Sequence, residues 1–297
     1  MHVPRSSLPA LRRRAGLVAV AVLAAAGLAA TSPASATRQA EQANFIVSCP
    51  FSHRAADDPL VHPGMAGMSH LHDFFGNTTT DAESTTTSLL AGGTTCDRTG
   101  DTAAYWMPTT YVGGKAVKAL KATVYYRNVA ANPADVVPFP TGFHMIAGDP
   151  TASAADPQRA NYVGWACRKD SGPKAGIKGR WTSDAPTCKA GQTLVFRVRF
   201  PDCWNGVDLD SADHRSHVAY GKNGVCPKGF PVHVPRVSMT EGLDSRGGPT
   251  TALSSGSVFT GHADFINAWQ PQELSRLVDE CLHEGLKCGF TSDGSDL

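Results

Sequence analysis

Eight cysteines limit most strongly what this chain can fold into, and all of them lie beyond residue 36. An even number of cysteines is typical of an exported protein with a disulfide framework, and the CxxC pairs of cysteine zinc sites do not occur. Eight cysteines allow roughly a hundred pairings, so the sequence leaves the connectivity open. We expect each cysteine to pair with its neighbour along the chain. The expected pairs are Cys49 with Cys96, Cys167 with Cys188, Cys203 with Cys226, and Cys281 with Cys288.

The first 36 residues have the three parts of a secretory signal peptide. Arg5 and the run Arg12-Arg13-Arg14 precede an apolar stretch over 15–30, and Ala34-Ser35-Ala36 supplies the small residues that a signal peptidase recognises. This apolar stretch is shorter than the roughly 20 residues of a membrane-spanning helix. We therefore predict that residues 1–36 are removed, that the protein is secreted and extracellular, and that it has no stable membrane anchor.

The charge of the mature chain argues against nucleic acid as a partner. Removal of the signal peptide takes away four arginines and no acidic residue, which leaves 23 basic and 26 acidic residues and a formal charge of −3. Such a chain has no strongly basic field to attract nucleic acid or anionic lipid. The remaining length suits one domain, because β-sandwiches of about 200–250 residues often fold as one. We predict a short polar arm over 37–43 and one β-rich catalytic or binding domain over 44–297, monomeric in solution.

Short apolar runs separated by glycine and proline clusters predict a mostly β fold. From Leu194 to Phe200 the apolar residues alternate with Arg197 and Arg199, which is typical of a half-buried antiparallel strand. Near the end of the chain, Pro271 and an apolar repeat that stops at Gly285 predict one carboxy-terminal helix. With 29 glycines and 20 prolines, the composition favours an antiparallel β-sandwich, or a jelly-roll-like domain, with long loops. Further strands are expected over 44–49, 103–106, 122–127, 217–220 and 232–239.

The stretch from Met68 to Asn77 has the pattern most typical of a functional site. On an extended strand, His70 and His72 would project from the same face, with Asp73 beside them in the chain. Because Asp73 would then project from the opposite face, the spacing supports a histidine pair better than a triad. Half-buried structural histidines are the alternative explanation of this pattern.

Two later stretches, 201–220 and 261–269, also combine histidine, aspartate and aromatic residues. If the strands that carry the three stretches are neighbours, their side chains converge in one cleft, where neutral imidazoles would bind a metal or transfer protons near neutral pH. The expected catalytic residues are His70, His72, Asp73, His217, Tyr220, His262 and Asp264. The expected substrate-binding residues are Trp106, Trp204, Arg215, Asn267 and Trp269, with the tryptophans stacking on sugar rings.

The residues expected in this cleft are compatible with several kinds of chemistry. A divalent metal, zinc or calcium, is the cofactor that these residues would hold, and the expected ligands are His70, His72, His217, His262 and Asp210. Without a metal, a histidine base with Tyr220 as acid would suit a polysaccharide lyase, whereas paired carboxylates such as Asp73 and Asp264 would suit a glycoside hydrolase. The sequence contains no GxSxG, HExxH or P-loop motif, which argues against a serine esterase, a zincin and an NTPase.

Several blocks spread from Phe45 to Cys288 resemble a secreted family, the domain-of-unknown-function family 1996, found in bacteria and filamentous fungi. In fungi this family is sometimes joined to WSC carbohydrate-binding modules. His144 departs from the family pattern, in which another residue precedes Met145, so His144 is left out of the expected site. The blocks that carry the resemblance are Ser69–Asn77, Ala104–Pro108, Pro201–Gly206, Leu209–Tyr220 and His262–Trp269.

What the resemblance implies is work on a polysaccharide or cell-wall glycan, because the family is secreted and has an occasional sugar-binding companion. The leading hypothesis is therefore a secreted carbohydrate-active enzyme, a hydrolase or a lyase. A non-catalytic extracellular protein that binds carbohydrate or metal is the second hypothesis. The third is that the histidines and aspartates form a buried structural network and that an exposed loop carries the function.

Overall fold

A computed structural model describes residues 1–2, 43–169, 171 and 176–289. The predicted signal peptide and polar arm lie almost wholly outside the described residues. All the elements named below belong to the compact unit that spans 32–297. Within the described part of the chain, no helix combines the length and the hydropathy needed to cross a bilayer.

The described structure contains seventeen strands. They are β1 (Asn44–Ala55), β2 (His72–Gly76), β3 (Ala104–Pro108), β4 (Thr110–Val112), β5 (Lys115–Ala116), β6 (Ala119–Arg127), β7 (His144–Gly148), β8 (Val163–Lys169), β9 (Gly176–Thr182), β10 (Thr193–Arg199), β11 (Cys203–Trp204), β12 (Val218–Ala219), β13 (Val232–His233), β14 (Arg236–Leu243), β15 (Thr251–Leu253), β16 (His262–Ile266) and β17 (Lys287–Cys288). The helices are α1 (Thr86–Ala91), α2 (Pro271–Leu277), a 3₁₀ turn (Pro133–Asp135) and a π-helical turn (Val278–His283).

Eleven of these strands form one curled sheet in the order β7-β16-β3-β2-β1-β6-β14-β10-β8-β9, with β17 added beside β1. The long strand β1 joins its two halves, because 44–50 pairs with β6 and 51–55 pairs with β2. A break in register between Phe51 and His53 marks the change of partner, and a bulge of this kind bends a strand. Apart from the parallel β1–β17 pair, these neighbours run antiparallel.

The main hydrophobic core lies between the two halves of this sheet. Phe75 and Phe265 come from the first half, and Val124 and Phe196 come from the second half. A smaller apolar cluster that includes Phe74, Trp106 and Ile266 covers the outer face of the first half, beneath Leu60 and Leu89. The first half therefore has packed side chains on both faces, and the candidate site described below lies on its outer face.

The predicted fold class is confirmed: the domain is mostly antiparallel β with one carboxy-terminal helix and four disulfides. The disulfides join neighbouring cysteines, as expected, in the pairs 49–96, 167–188, 203–226 and 281–288. Three local predictions need correction. The expected strand over 232–239 is divided between β13 and β14, which pair with different strands. The expected strand over 217–220 is reduced to Val218–Ala219, and His70 precedes β2 instead of lying on it.

Candidate metal centre

Three imidazole rings meet on the outer face of the first half of the sheet. The ring centroids of His70 and His72 are 4.2 Å apart, and His262 lies 5.1 Å from the first ring and 5.9 Å from the second. One nitrogen atom of each ring lies within 4.8 Å of the other two. Such a separation suits ligands around one ion, since metal–imidazole bonds are about 2.0–2.1 Å long.

Main-chain carbonyl groups set the tautomer of two of these rings. Nδ1 of His72 lies 3.0 Å from the carbonyl oxygen of Asp57, and Nδ1 of His262 lies 2.9 Å from that of Thr260. A carbonyl oxygen only accepts hydrogen bonds, so each Nδ1 carries the proton. Nε2 of both rings then has a free lone pair, which is the arrangement found in metal-binding histidines with an outer hydrogen bond.

The neighbouring elements bring these rings together although they are far apart in the chain. His262 begins β16 and His72 begins β2, and β3 lies between these two strands. His70 approaches from the segment just before β2. Both His72 and His262 are buried, whereas the His70 side chain is partly exposed and gives the cluster its contact with solvent.

Two buried carboxyl groups lie next to the histidines. Oxygen atoms of Asp58 and Asp264 lie within 4.8 Å of each other and of a ring nitrogen of His72. Asp58 Oδ1 accepts hydrogen bonds from the main-chain N–H groups of Leu60 and Val61. Both oxygens of Asp264 are buried without a hydrogen-bond partner in the described structure. Unsatisfied buried oxygens are rare in folded proteins and indicate a missing proton, water or ion.

Burial is the main influence on the charge of these groups. It lowers the pKa of His70 and lowers that of His72 well below its ordinary value, with further lowering from neighbouring imidazoles. It also lowers the pKa of His262 to about 4. The pKa of Asp264 is raised well above its ordinary value, first by burial and then by the charge of Asp58. The imidazoles are therefore neutral near pH 7, the form that binds metals, and the Asp264 carboxyl group keeps its proton to a higher pH than an ordinary aspartate does.

Four described groups satisfy the distances of a metal site, but two of them consist largely of disulfide sulfur. One contains Cys203 and Cys226, and the other contains Cys49 and Cys96, and both cysteine pairs are oxidised. A disulfide has no thiolate to offer a metal. The remaining two groups share His72 and together form the five-residue cluster His70, His72, His262, Asp58 and Asp264, called the histidine–aspartate cluster below.

Asp73 does not join this cluster, although it was among the expected catalytic residues. Side chains alternate along a strand, so Asp73 leaves β2 on the face opposite His72. There it forms a partly buried ion pair with Arg54, at 2.5 Å, and accepts a hydrogen bond from Thr109. The position of Asp73 next to His72 in the chain had predicted that the two side chains would leave an extended strand on opposite faces.

His217 and Asp210 also lie apart from the cluster. Nε2 of His217 donates to the carbonyl oxygen of His144, at 2.7 Å, and Asp210 accepts hydrogen bonds from His144 and His214. His144 and Gly148 mark the two ends of β7, and Gly148 pairs with His262. Four residues of strand separate these ends by about 13 Å, which is too far for His217 to share one ion with His262. His144, which was left out of the expected site, belongs to this second group.

The structure also assigns other contacts to Tyr220 and to the expected sugar-binding aromatic residues. Tyr220 donates its hydroxyl proton to the carbonyl oxygen of Arg199. Trp106 and Trp269 are fully buried, so neither presents a ring face to a sugar. Trp204 packs edge-on against Phe143 and donates to a main-chain carbonyl.

Of the two remaining expected substrate-binding residues, Asn267 and Arg215, only Arg215 lies beside the histidine–aspartate cluster. Asn267 is buried and donates its amide to the carbonyl oxygens of Phe139 and Pro140. Arg215 donates to the carbonyl oxygens of Ile146 and Gly148. Its positive charge lowers the pKa of both His262 and Asp264, so Arg215 flanks the cluster.

Asp58 is the member of the cluster that sequence reasoning missed. It lies in the loop between β1 and His70, next to a second aspartate and before Pro59. A pair of aspartates before a proline is ordinary turn chemistry, so the sequence contains no signal that separates this residue from a loop cap.

A family model described as a domain of unknown function, DUF1996, matches residues 58–269. The chain belongs to this family. The match begins at Asp58 and includes all five residues of the histidine–aspartate cluster, which is therefore part of the DUF1996 domain. Searches of curated proteins and of solved structures found no match.

Proposed function

We propose that this DUF1996 domain binds a divalent transition metal through Nε2 of His70, His72 and His262 and works as a secreted, metal-dependent carbohydrate-active enzyme. The observation that carries the proposal is the convergence of three neutral imidazoles, two of which are held by main-chain carbonyls in the tautomer that leaves Nε2 free. Protein sites with three histidine ligands and one open position are typical of catalytic zinc.

The ligand set favours zinc over calcium, the other metal that the sequence left open. Imidazole nitrogen suits zinc and other late transition metals, whereas calcium prefers six to eight oxygen ligands. The cluster offers three imidazoles and only two carboxyl groups, Asp58 and Asp264. In the Irving–Williams order, a site of nitrogen ligands also binds nickel and copper tightly. The metal content of the protein is therefore the first quantity to measure.

The two carboxyl groups would provide proton transfer beside the metal. Oxygen atoms of Asp58 and Asp264 lie within 4.8 Å of each other, and burial raises the pKa of each carboxyl group. A carboxyl group that is protonated near neutral pH can act as a general acid, as in many glycosidases. A metal bound by the three histidines would supply Lewis acidity and lower the pKa of bound water.

A polysaccharide or cell-wall glycan is the substrate class that we infer, and hydrolysis or elimination is the reaction. The inference is supported by the predicted signal peptide, by four disulfides that suit an oxidising compartment, and by the sugar-binding modules that the resemblance associates with this family. His70 lies at the partly exposed side of the cluster, so substrate would approach past this residue.

One observation favours a second candidate function, an extracellular metal-binding protein without turnover. His72 has no exposed surface and His262 is only 4% exposed, which leaves a bulky polymer little direct access to these ligands. In that case the domain would hold or carry the ion itself. Metal binding is common to both candidates, and turnover separates them.

The test begins with the metal content of the purified mature domain, measured by inductively coupled plasma mass spectrometry. We expect about one equivalent of a transition metal in the wild type, and loss of that metal in a His70→Ala, His262→Ala double variant. A His217→Gln variant is the matched control, because this histidine is buried elsewhere and should leave the metal in place. Equal metal content in the double variant and the wild type would refute the site.

A glycan panel then separates the two candidates. The metal-loaded wild type and the double variant are incubated with neutral and acidic polysaccharides, and reducing ends and unsaturated products are measured. Turnover by the wild type alone supports the enzyme. Stoichiometric metal without turnover on any glycan supports the binding protein.

A further inference from the structure

A second feature of the domain is a groove on the outer face of the other half of the sheet. It has a volume of about 290 Å³ and crosses strands β6, β14, β10, β8 and β9. Arg197 and Arg199 alternate along β10 with Phe196 and Val198, which point into the main core. The arginines therefore leave the strand on the side away from the core, as their spacing in the sequence predicts.

Positive charge dominates the lining of this groove. Four arginines and two aromatic residues line it, together with the hydroxyl groups of three residues, and none of the described lining residues is acidic. The arginines are Arg127, Arg168, Arg197 and Arg199, the aromatic residues are Tyr125 and Trp181, and the hydroxyl residues are Thr123, Ser238 and Thr240.

Strand register places the hydroxyl groups next to the arginines. Thr240 lies directly opposite Arg197, and Ser238 lies directly opposite Arg199. On the next strand, Thr123 and Tyr125 continue the same two rows. The floor of the groove is thus a regular array of charged and neutral hydrogen-bond donors.

Aromatic rings hold two of the guanidinium groups in place. The guanidinium carbon of Arg197 lies 3.7 Å from the ring centroid of Trp181, and that of Arg127 lies 4.5 Å from the ring of Tyr125. Ordering an arginine before binding reduces the entropy lost when a ligand binds.

Arg197 is the buried centre of the array. It is only 6% exposed, and its Nη2 donates to the carbonyl oxygens of Ala160 and Asn161. Its Nε is buried and has no hydrogen-bond partner in the described structure. Burial lowers the pKa of this guanidinium, and the charges of Arg199 and Arg127 lower it further. A bound anion would offset this repulsion.

We propose that this groove binds an anionic sugar unit of an acidic polysaccharide, through its carboxylate or sulfate group. Arginine forms paired, charge-assisted hydrogen bonds with either group. The hydroxyl side chains of Thr123, Ser238 and Thr240 suit the hydroxyl groups of the sugar ring. The groove lies on the opposite half of the sheet from the histidine–aspartate cluster, so the proposal stands whether or not that cluster binds a metal.

Other polyanions suit the groove less well. Proteins bind nucleic acid largely through a broad basic surface that neutralises many phosphates. Without its predicted signal peptide, this chain has a formal charge of −3 and lacks the excess of basic residues that is typical of such proteins. Stable binding to a membrane surface usually combines basic residues with buried apolar side chains, and Ile177 is the one exposed large apolar residue among the described lining residues.

The test measures binding of labelled oligogalacturonides, sulfated dextran oligosaccharides and neutral cello-oligosaccharides of matched length to the full domain. We expect binding to at least one of the two anionic sugars, and dissociation constants at least tenfold weaker for the neutral sugar. Whether the carboxylated or the sulfated sugar binds more tightly identifies the anionic group. An Arg199→Gln variant should weaken anionic binding about tenfold or more, while Arg276→Gln, on the exposed face of α2, should leave it unchanged.

Folding of each variant is checked by circular dichroism, and an Arg127→Gln variant provides a second probe if Arg199→Gln does not fold. Equal binding of neutral and anionic sugars would overturn the proposal. So would unchanged binding in folded groove variants, equal competition by free inorganic sulfate at the same concentration, or equally tight binding to anionic vesicles or to duplex DNA.

Discussion

His72 donates its Nδ1 proton to the main-chain carbonyl oxygen of Asp57 across 3.0 Å. This contact fixes the ring orientation and leaves a free lone pair on Nε2 of His72, and one nitrogen atom of this ring lies within 4.8 Å of a nitrogen atom of both His70 and His262. Asp58, the residue after Asp57, contributes its carboxyl group to the same cluster. One short loop segment therefore orients a ligand through its main chain and provides an acid through its side chain.

A His72→Asn substitution tests the role of this Nε2 atom. The asparagine amide can still donate to the Asp57 carbonyl, but it has no group at the position of Nε2. We expect the domain to fold and its metal affinity to fall by more than about 100-fold, beyond the 10–100-fold typical of losing an outer-shell contact. Isothermal titration with zinc measures the change. His283→Asn, at a partly buried histidine that bonds to the Val136 carbonyl, should titrate like the wild type.

Removal of the metal should lower thermal stability. A ligand at about 1,000 times its dissociation constant stabilises the native state by roughly 4 kcal/mol. For a domain of this size, each kcal/mol corresponds to about 2–4 °C in Tm. Treatment with a chelator should therefore lower the Tm by roughly 8–16 °C, and zinc should restore it. The same Tm with and without chelator in a metal-loaded sample would contradict the cluster as a metal site.

Glu241 should make the domain less stable as the pH rises. It is fully buried, and burial and then the charge of Asp73 raise its pKa well above the ordinary value of 4.5. The native state therefore retains this proton where the unfolded chain releases it. The resulting stability is complete below pH 4.5 and is lost as the pH rises towards the raised pKa.

A Glu241→Gln variant, which cannot ionise, should have the same free energy of unfolding as the wild type at low pH and a higher one at pH 8. Urea unfolding between pH 4 and pH 8 measures the difference. Glu273→Gln, on the surface of α2, serves as the control. A Glu241→Gln variant that is less stable than the wild type at pH 8 would refute this assignment.

The four disulfides should contribute unequally to stability. Cys49–Cys96, Cys167–Cys188 and Cys281–Cys288 close loops of 47, 21 and 7 residues. Loop-closure entropy predicts losses of about 4, 3 and 2 kcal/mol, respectively, when each pair is replaced by alanine. Denaturant unfolding of the three double variants gives the order. A largest loss at Cys281–Cys288 would show that local strain or packing, and not loop length, sets these contributions.

Local chemistry explains why parts of the site could be predicted. Alternation along a strand correctly separated Asp73 from His72, and the same alternation places His262 and Asp264 on one face of β16. The glycine pair Gly113-Gly114 connects β4 and β5, and both residues have the positive φ angles that glycine adopts readily in such turns. These predictions depend on a few neighbouring residues.

Other parts of the site could not be predicted because they depend on distant packing. His70 lies before β2, yet its ring still meets His72, since the loop folds back over the sheet. The stretch of sequence around His217 combines histidine, aspartate and aromatic residues as the stretches around the other histidines do. In the folded domain, however, His217 donates a hydrogen bond to the main chain of β7. Trp106 and Trp269 looked available for stacking, and burial in the folded domain removes both from solvent.

The sequence by itself determined the β-rich class, the disulfide framework, the carboxy-terminal helix and the histidine pairs, because alternation, cysteine count and helical periodicity act over short distances along the chain. Only the tertiary structure decided which histidines meet. The order β16-β3-β2 brings His262 beside His72 and leaves His217 at the far end of β7. Strand order depends on burying the faces of the whole sheet around one core, and no local pattern encodes that arrangement.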